Sequence, residues 1–255
     1  MSDLNREAYL QSVEKRPLLD GRFEKLTRLG PSGGNGNFSL LFTALDRQTE
    51  KEVVLKFFHP DERHDPYRWA CFDREVKVLQ RLTGQKDIIE LVAPRAEFIE
   101  TFTAGPVSMK VPFAYYAMER AESDLAELIN CSGLTAEHIL MAFLQMCRAV
   151  QRVHRQDVVH RDLKPRNFLV MSSGEVKLSD FGTARCLDSD PPAALEYLSP
   201  PGDLRYSALE LLAGVHDEDP TIAFGADLFA LGATLFELFT GTRLSSIAFD
   251  LLPEI

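Results

Sequence analysis

Val158-Val159-His160-Arg161-Asp162-Leu163-Lys164-Pro165-Arg166-Asn167 is the stretch around which the rest of the chain is arranged. An apolar pair leads into it and a second apolar run, Phe168-Leu169-Val170-Met171, leads out. Between them lies a short loop with an acid, a lysine, a rigidifying proline and an amide. Strand-like flanks that hold Asp, Lys and Asn together suggest an active-site loop on a rigid scaffold. These groups suit transfer of a phosphoryl group to a hydroxyl. Asp162 can accept a hydrogen bond from the attacking hydroxyl, Lys164 can neutralise charge on the group in transit, and Asn167 can help hold a metal ion.

Working outward, Phe168 to Met171 and Glu175 to Leu178 are expected to form a hairpin across Ser172-Ser173-Gly174, ending at Asp180-Phe181-Gly182. A carboxylate at the end of an apolar strand, followed by an aromatic and a glycine, suits a metal-binding group on a hinge. Upstream, Thr135 with Glu137 behind it starts a helix, and Ile139, Phe143, Met146, Val150 and Val153 share one face of it. That face is core, and the helix delivers the chain to the loop. Earlier still, Arg68 to Leu82 has an apolar stripe of Phe72, Val76, Leu79 and Leu82, with Glu75 on or beside it. Strands are expected over Phe23 to Leu29, Phe38 to Leu45, Glu52 to Phe58, Ile88 to Phe98 and Val111 to Met118, with a loop at Thr101 to Pro106. The first two strands flank Gly30-Pro31-Ser32-Gly33-Gly34-Asn35-Gly36-Asn37, a turn whose backbone N–H groups can approach phosphates closely. Residues 1–21 read as a tail or a short helix before the domain.

The ordered set resembles the eukaryotic-like protein kinases of serine/threonine type, over roughly residues 22–242. The loop is similar to the family's H-R-D-L-K-x-x-N, and Asp180-Phe181-Gly182 matches D-F-G, 18 residues after Asp162 and 13 after Asn167. Val53-Val54-Leu55-Lys56 is similar to V-A-I-K, and Glu75 follows Lys56 by 19 residues, the family's interval between strand lysine and helix glutamate. The resemblance implies an α+β, bilobal fold. Residues 22–118 would be a small antiparallel N-lobe with one helix and 119–255 a mainly helical C-lobe. It also implies a C-lobe shortened at its end, with a partner or a further segment covering it.

The same resemblance assigns roles. Asp162 and Lys164 would be catalytic, and Asn167 and Asp180 would hold Mg2+. Lys56, held by Glu75, would position the phosphates of ATP under the Gly34 and Gly36 loop. Leu41, Val54, Leu169 and the backbone of Glu119 and Ala121 would surround the adenine. His160 would stack with Leu79, Leu91 and Phe181, and Asp227 would anchor the catalytic-loop backbone. Asp124 reads equally as a ribose contact or a helix N-cap. Departures from the family pattern are Ser39 for a glycine, Leu209 for a proline and Asp203 for a threonine. A carboxylate at position 203 is expected to face Asp162 and draw Lys164 away. Arg161 suggests control by phosphorylation, with Ser199 ahead of Tyr197 and Ser189 as the site; Ser199 reads equally as the start of a turn.

Composition narrows the classes. At 255 residues the chain can form one large domain or two small ones sharing a cleft. A net charge of -10 argues against nucleic-acid and anionic-membrane binders and is compatible with basic protein substrates. Cys71, Cys131, Cys147 and Cys186 form no CxxC pair and read as reduced thiols of a cytoplasmic protein. The apolar run Thr221 to Thr240 is interrupted by Asp227 and Glu237 and reads as a core helix rather than a membrane span. The expectation is an ATP- and Mg2+-dependent kinase acting on a serine or threonine of a protein substrate. A nucleotide-binding pseudokinase is the alternative, and a small-molecule kinase a more distant third.

Overall fold

The structure is a computed structural model, and it describes residues 2–30, 39–104, 107–129, 135–189, 201–215 and 219–246. The chain divides into two compact units, one of residues up to Val76 with Glu90–Arg120, the other of Lys77–Ile89 with the residues from Ala121 onward.

The first unit is built on a six-stranded sheet whose neighbouring strands are all antiparallel. Its strands are β1 (Leu18–Leu19), β2 (Phe23–Arg28), β3 (Ser39–Asp46), β4 (Lys51–Phe58), β5 (Leu91–Ala104) and β6 (Val107–Glu119), in the order β1-β2-β3-β4-β6-β5. In β3 buried residues alternate with half-buried ones, as a strand with one face on a core requires. Leu40, Phe42 and Ala44 turn inward to meet Leu55, Phe57, Phe113 and Tyr115. The β5–β6 hairpin is longer than the sequence suggests. Thr101, Phe102 and Thr103 pair with Lys110, Met109 and Ser108, so most of the expected loop is strand. β-branched and aromatic residues favour that pairing, and they outweigh the turn signal of Gly105-Pro106. The register shifts between Ala93 and Ala96, around Pro94, which has no N–H to give to the ladder.

Of the two readings of residues 1–21, a tail or a short helix, the structure has a helix, α1 (Ser2–Glu14), and it packs on the sheet rather than standing before the domain. Its Tyr9, Leu10 and Val13 are buried in the same core as the sheet. The Tyr9 ring meets His59, Phe102 and Phe113 edge-on, and its hydroxyl donates to Asp61 at 2.7 Å. Arg28 on β2 bonds Glu14 and Glu7 of the helix. Helix α2 (Pro66–Arg81) starts where Asp65 Oδ1 accepts from the backbone N–H groups of Tyr67 and Arg68.

The second unit contains α3 (Leu125–Ile129), α4 (Ala136–His154), α5 (Leu209–Leu212) and α6 (Pro220–Thr240). It also contains the short strands β7 (Ser123–Asp124), β8 (Val158–Val159), β9 (Phe168–Val170), β10 (Val176–Leu178) and β11 (Arg185–Cys186). They form the sheets β10-β9-β7 and β11-β8. Helix α4 opens on a capping box between Thr135 and His138, and Ile139, Met146, Val150 and Val153 are buried as their spacing requires. Ile88, expected to start a strand of the first sheet, instead bridges Leu178 in this unit, and Ile89 donates to the Leu178 carbonyl at 2.9 Å. Helix α6 is long and apolar enough to cross a bilayer. It nevertheless buries Asp227, which is 1% exposed, among its alanines and leucines. It closes at Gly241, whose φ of +67° supplies the left-handed C-cap.

Candidate active site

The loop after β8 is fixed from α6. One oxygen of Asp227 accepts from the His160 N–H and the other from the Arg161 N–H, both at 2.8 Å. His154 Nε2 lies 2.9 Å from the same carboxylate. A buried carboxylate that took up no hydrogen bonds would be costly, so this one defines the backbone path around it. β8 in turn pairs with β11, Val158 opposite Cys186 and Val159 opposite Arg185.

Asp162 then becomes the centre of a small network. Lys164 Nζ lies 2.7 Å from its Oδ2, and Asn167 Nδ2 donates to its main-chain carbonyl at 2.7 Å and to Oδ2 at 3.1 Å. Oδ1 accepts the backbone N–H of Asp203 at 2.8 Å. Gly202 makes that approach possible. Its φ is +84°, and a Cβ there would sit 2.4 Å from the Arg161 carbonyl oxygen and 3.0 Å from the Asp162 Cβ, so a side chain has neither the dihedral nor the room.

Asp203 itself departs from expectation. Its carboxylate does not face Asp162. It accepts from Arg205 Nε at 2.7 Å and from the Arg205 backbone at 3.1 Å, and Lys164 stays on Asp162. Burial alone would raise the Asp203 carboxyl, but the hydrogen bonds and charge of Arg205 and the charge of Lys164 outweigh it, leaving the group below its ordinary value.

Asp180 follows directly. Ser179 donates from both its N–H and its hydroxyl to the Asn167 carbonyl, at 2.9 and 3.0 Å. Its own carbonyl is 2.9 Å from His160 Nε2. The His160 ring lies 4.9 Å from that of buried Phe181, centre to centre. Between these fixed neighbours Asp180 adopts φ 63° and ψ 66°, a left-handed conformation that costs a non-glycine residue on the order of 1–3 kcal/mol and clusters at functional sites. Asn167 spends its amide nitrogen on Asp162, which leaves its oxygen as the metal-compatible atom beside the Asp180 segment. Among the described residues no group of three or more His, Cys, Asp or Glu side chains could hold a metal ion. An Asn oxygen and one carboxylate instead fit Mg2+, which takes few protein ligands and completes its shell with water and phosphate oxygens.

In the first unit, β4 places Lys56 opposite Leu41 on β3 and Tyr116 on β6. Its Nζ is 2.7 Å from Glu75 Oε2 on α2, with the two side chains 15% and 3% exposed. Val54 is buried opposite Thr43 and Met118. Glu119 ends β6 and exchanges bonds with Glu90, donating its N–H to the Glu90 carbonyl and accepting the Glu90 N–H on its side chain. In the second unit Ala121 is half-buried, and Leu169 lies opposite Lys177 and Asp124. Asp124 Oδ1 accepts from Glu127 N at 2.9 Å, which is the N-cap role. Gly34, Gly36, Tyr197 and Ser199 lie outside the described residues. Sequence reasoning did not find His154 on Asp227, Thr183 donating to the His160 carbonyl, or Ser179 on Asn167. Each acts across a fold that no local pattern announces.

The sequence matches the family described as protein kinase domain over residues 28–248, most of the chain, and the chain belongs to that family, in its eukaryotic-like serine/threonine branch. Among its relatives, mitogen-activated protein kinase 12 of Oryza sativa subsp. japonica is 32% identical over 213 residues, 83% of this chain and 34% of the relative. A probable cell division protein kinase of Encephalitozoon cuniculi (strain GB-M1) is also 32% identical over 213 residues, 83% of this chain and 71% of the relative. Mitogen-activated protein kinase 19 of Arabidopsis thaliana is 32% identical over 215 residues. The chain spans about a third of the length of these two plant relatives.

Proposed function

We propose that the protein transfers the γ-phosphoryl group of ATP to a serine or threonine hydroxyl of a protein substrate. The observation that carries this reading is the Asp162 network, in which Lys164, Asn167 and the Asp203 N–H hold one carboxylate in a fixed orientation. Asp162 accepts the hydrogen bond of the attacking hydroxyl and orients its oxygen toward phosphorus. Lys164, already beside it, stabilises negative charge on the transferring group. Asn167 and Asp180 would hold Mg2+, which when bound neutralises charge on the β- and γ-phosphates. Glu75 keeps Lys56 extended so that its ammonium can meet the α- and β-phosphates. Gly34, Gly36, Leu41, Val54, Leu169 and the backbone of Glu119 and Ala121 are assigned to nucleotide binding by the family pattern.

The orientation of Asp203 supports transfer over a purely nucleotide-binding role, because the carboxylate expected to disturb Asp162 is held by Arg205 and Lys164 stays on Asp162. The test is Mg2+-dependent transfer of labelled phosphate from ATP to a generic protein, beside Asp162→Ala and Lys56→Met. Transfer by the parent that both variants lose is the expected result. A parent that binds ATP and transfers nothing, or variants that transfer as well as the parent, would sink the reading.

A further inference from the structure

We propose that a cavity next to Lys164 in the second unit binds an anionic side chain of the substrate segment, and that Arg166 selects for it. The proposal rests on the kinase reading only for the ligand being a substrate. The cavity, about 360 Å³, lies among α3, the loop carrying Lys164, the turn at Leu204–Tyr206 and the end of α6. Four cationic side chains line it, Lys164, Arg166, Arg205 and Arg243, against two carboxylates, Asp203 and Glu237. In a chain of net charge -10 this is a local reversal, not a reflection of overall basicity.

The charges are not equally committed. Lys164 is on Asp162, and Arg205 is on Asp203. Glu237 accepts from the Tyr206 hydroxyl and lies 3.7 Å from Arg243. Burial and the bond to Glu237 push the Tyr206 phenol above its ordinary value, so it remains a donor and occupies that carboxylate. Arg166 is exposed and has no ion pair or hydrogen bond among the described residues. It is the cation of the cavity left for a ligand, and a guanidinium matches a carboxylate or phosphate with two parallel N–H bonds. Because Lys164 lines the cavity and also touches Asp162, an anion bound there belongs to a residue close to the acceptor hydroxyl. The acidic overall charge is compatible with basic substrates; this cavity points the other way for at least one substrate position.

The shared chemistry is an anionic side chain, and either an acidic residue or a phosphorylated one can supply it. The test is fluorescence anisotropy of labelled serine peptides on the whole chain, with aspartate, phosphoserine, alanine or lysine beside the acceptor. The aspartate or phosphoserine peptide should bind roughly five- to tenfold tighter than the alanine peptide, with the advantage shrinking as salt is raised. Preference for phosphoserine over aspartate identifies a phosphate site; equal binding shows that a carboxylate suffices. Arg166→Glu should reverse the order in favour of lysine, and Arg166→Lys should keep the order of the parent. Equal binding of all four peptides, or an order that Arg166→Glu leaves unchanged, overturns the proposal. Binding is read without turnover, so the two readings fail separately. Anion preference in a protein that transfers nothing removes the kinase reading alone. Transfer without anion preference removes this one alone.

Discussion

Lys56 and Glu75 meet because a strand and a helix each deliver one charge, and the geometry of the pair depends on the packing of those two elements. Asp162 sits in a loop held from several directions at once, by Asp227 through two backbone N–H groups, by Gly202 through close approach, and by Lys164 and Asn167 through side chains. The first arrangement is a nearly buried ion pair, so losing one partner removes a close opposite charge from the other where water screens little. The second spreads its support over the backbone, so the carboxylate can be removed and the scaffold persists. Stability and chemistry should therefore be coupled at position 56 and separable at position 162.

The sharpest way to break that contrast is Asp162→Ala. Transfer should fall roughly 10²- to 10⁴-fold, the range of a positioned acid–base group, while the melting temperature stays near that of the parent. A large drop in melting temperature would erase the distinction. Next in size, Lys56→Met should destabilise the protein by about 3 kcal/mol in a urea titration, because Glu75, 3% exposed, loses the ammonium 2.7 Å from it. Adding Glu75→Leu to it should restore much of the stability and none of the transfer. If the double variant is no more stable than the single one, the pair is not what couples the two properties.

Gly202→Ala tests the claim that the loop is held sterically. The added Cβ meets the Arg161 carbonyl oxygen at a positive φ, so a loss of about 1–3 kcal/mol is expected, together with reduced transfer. An unchanged protein would show that the approach of Gly202 does not matter.

The smallest effect lies far from the chemistry. His59 is buried, and burial lowers its imidazole below the ordinary 6.5, with Arg6 adding to the shift and Asp61 and Glu62 opposing it. The unfolded chain therefore takes up this proton before the folded one does. The stability associated with His59 is complete above pH 6.5 and is lost as the pH falls through that value toward the folded pKa. Melting temperature measured from pH 8 down to 5 should decline less steeply in His59→Asn, which keeps an acceptor for the Asp61 N–H. An identical slope in both would remove the assignment.

Much of this architecture was legible in the sequence because local patterns carry it. The alternation from Ser39 to Leu45 and the face of Ile139, Met146, Val150 and Val153 depend on periods of a few residues, and Asp162, Lys164 and Asn167 share one short loop. What escaped depends on distant partners. Among the described side chains of α1, Tyr9, Leu10 and Val13 are buried apolar ones in a charged sequence that shows no clear stripe, and only the sheet they meet reveals them as core. The long β5–β6 hairpin was masked by Gly105-Pro106. The side chain of Asp203 follows Arg205 two residues on, a choice between neighbouring charges that spacing cannot make.

The burial of α1 has a consequence for how this domain is delimited. The match to the protein kinase domain begins at residue 28, yet Tyr9, Leu10, Val13, Leu19 and Phe23 already belong to one core with Phe57 and Phe113. A clone trimmed to the family boundary would cut through that core, and a chimera spliced there would join one parent's sheet to another's missing wall. For expression, domain swapping or comparison with other kinases, the indivisible piece at this end is set by packing, and it is larger than the recognisable one.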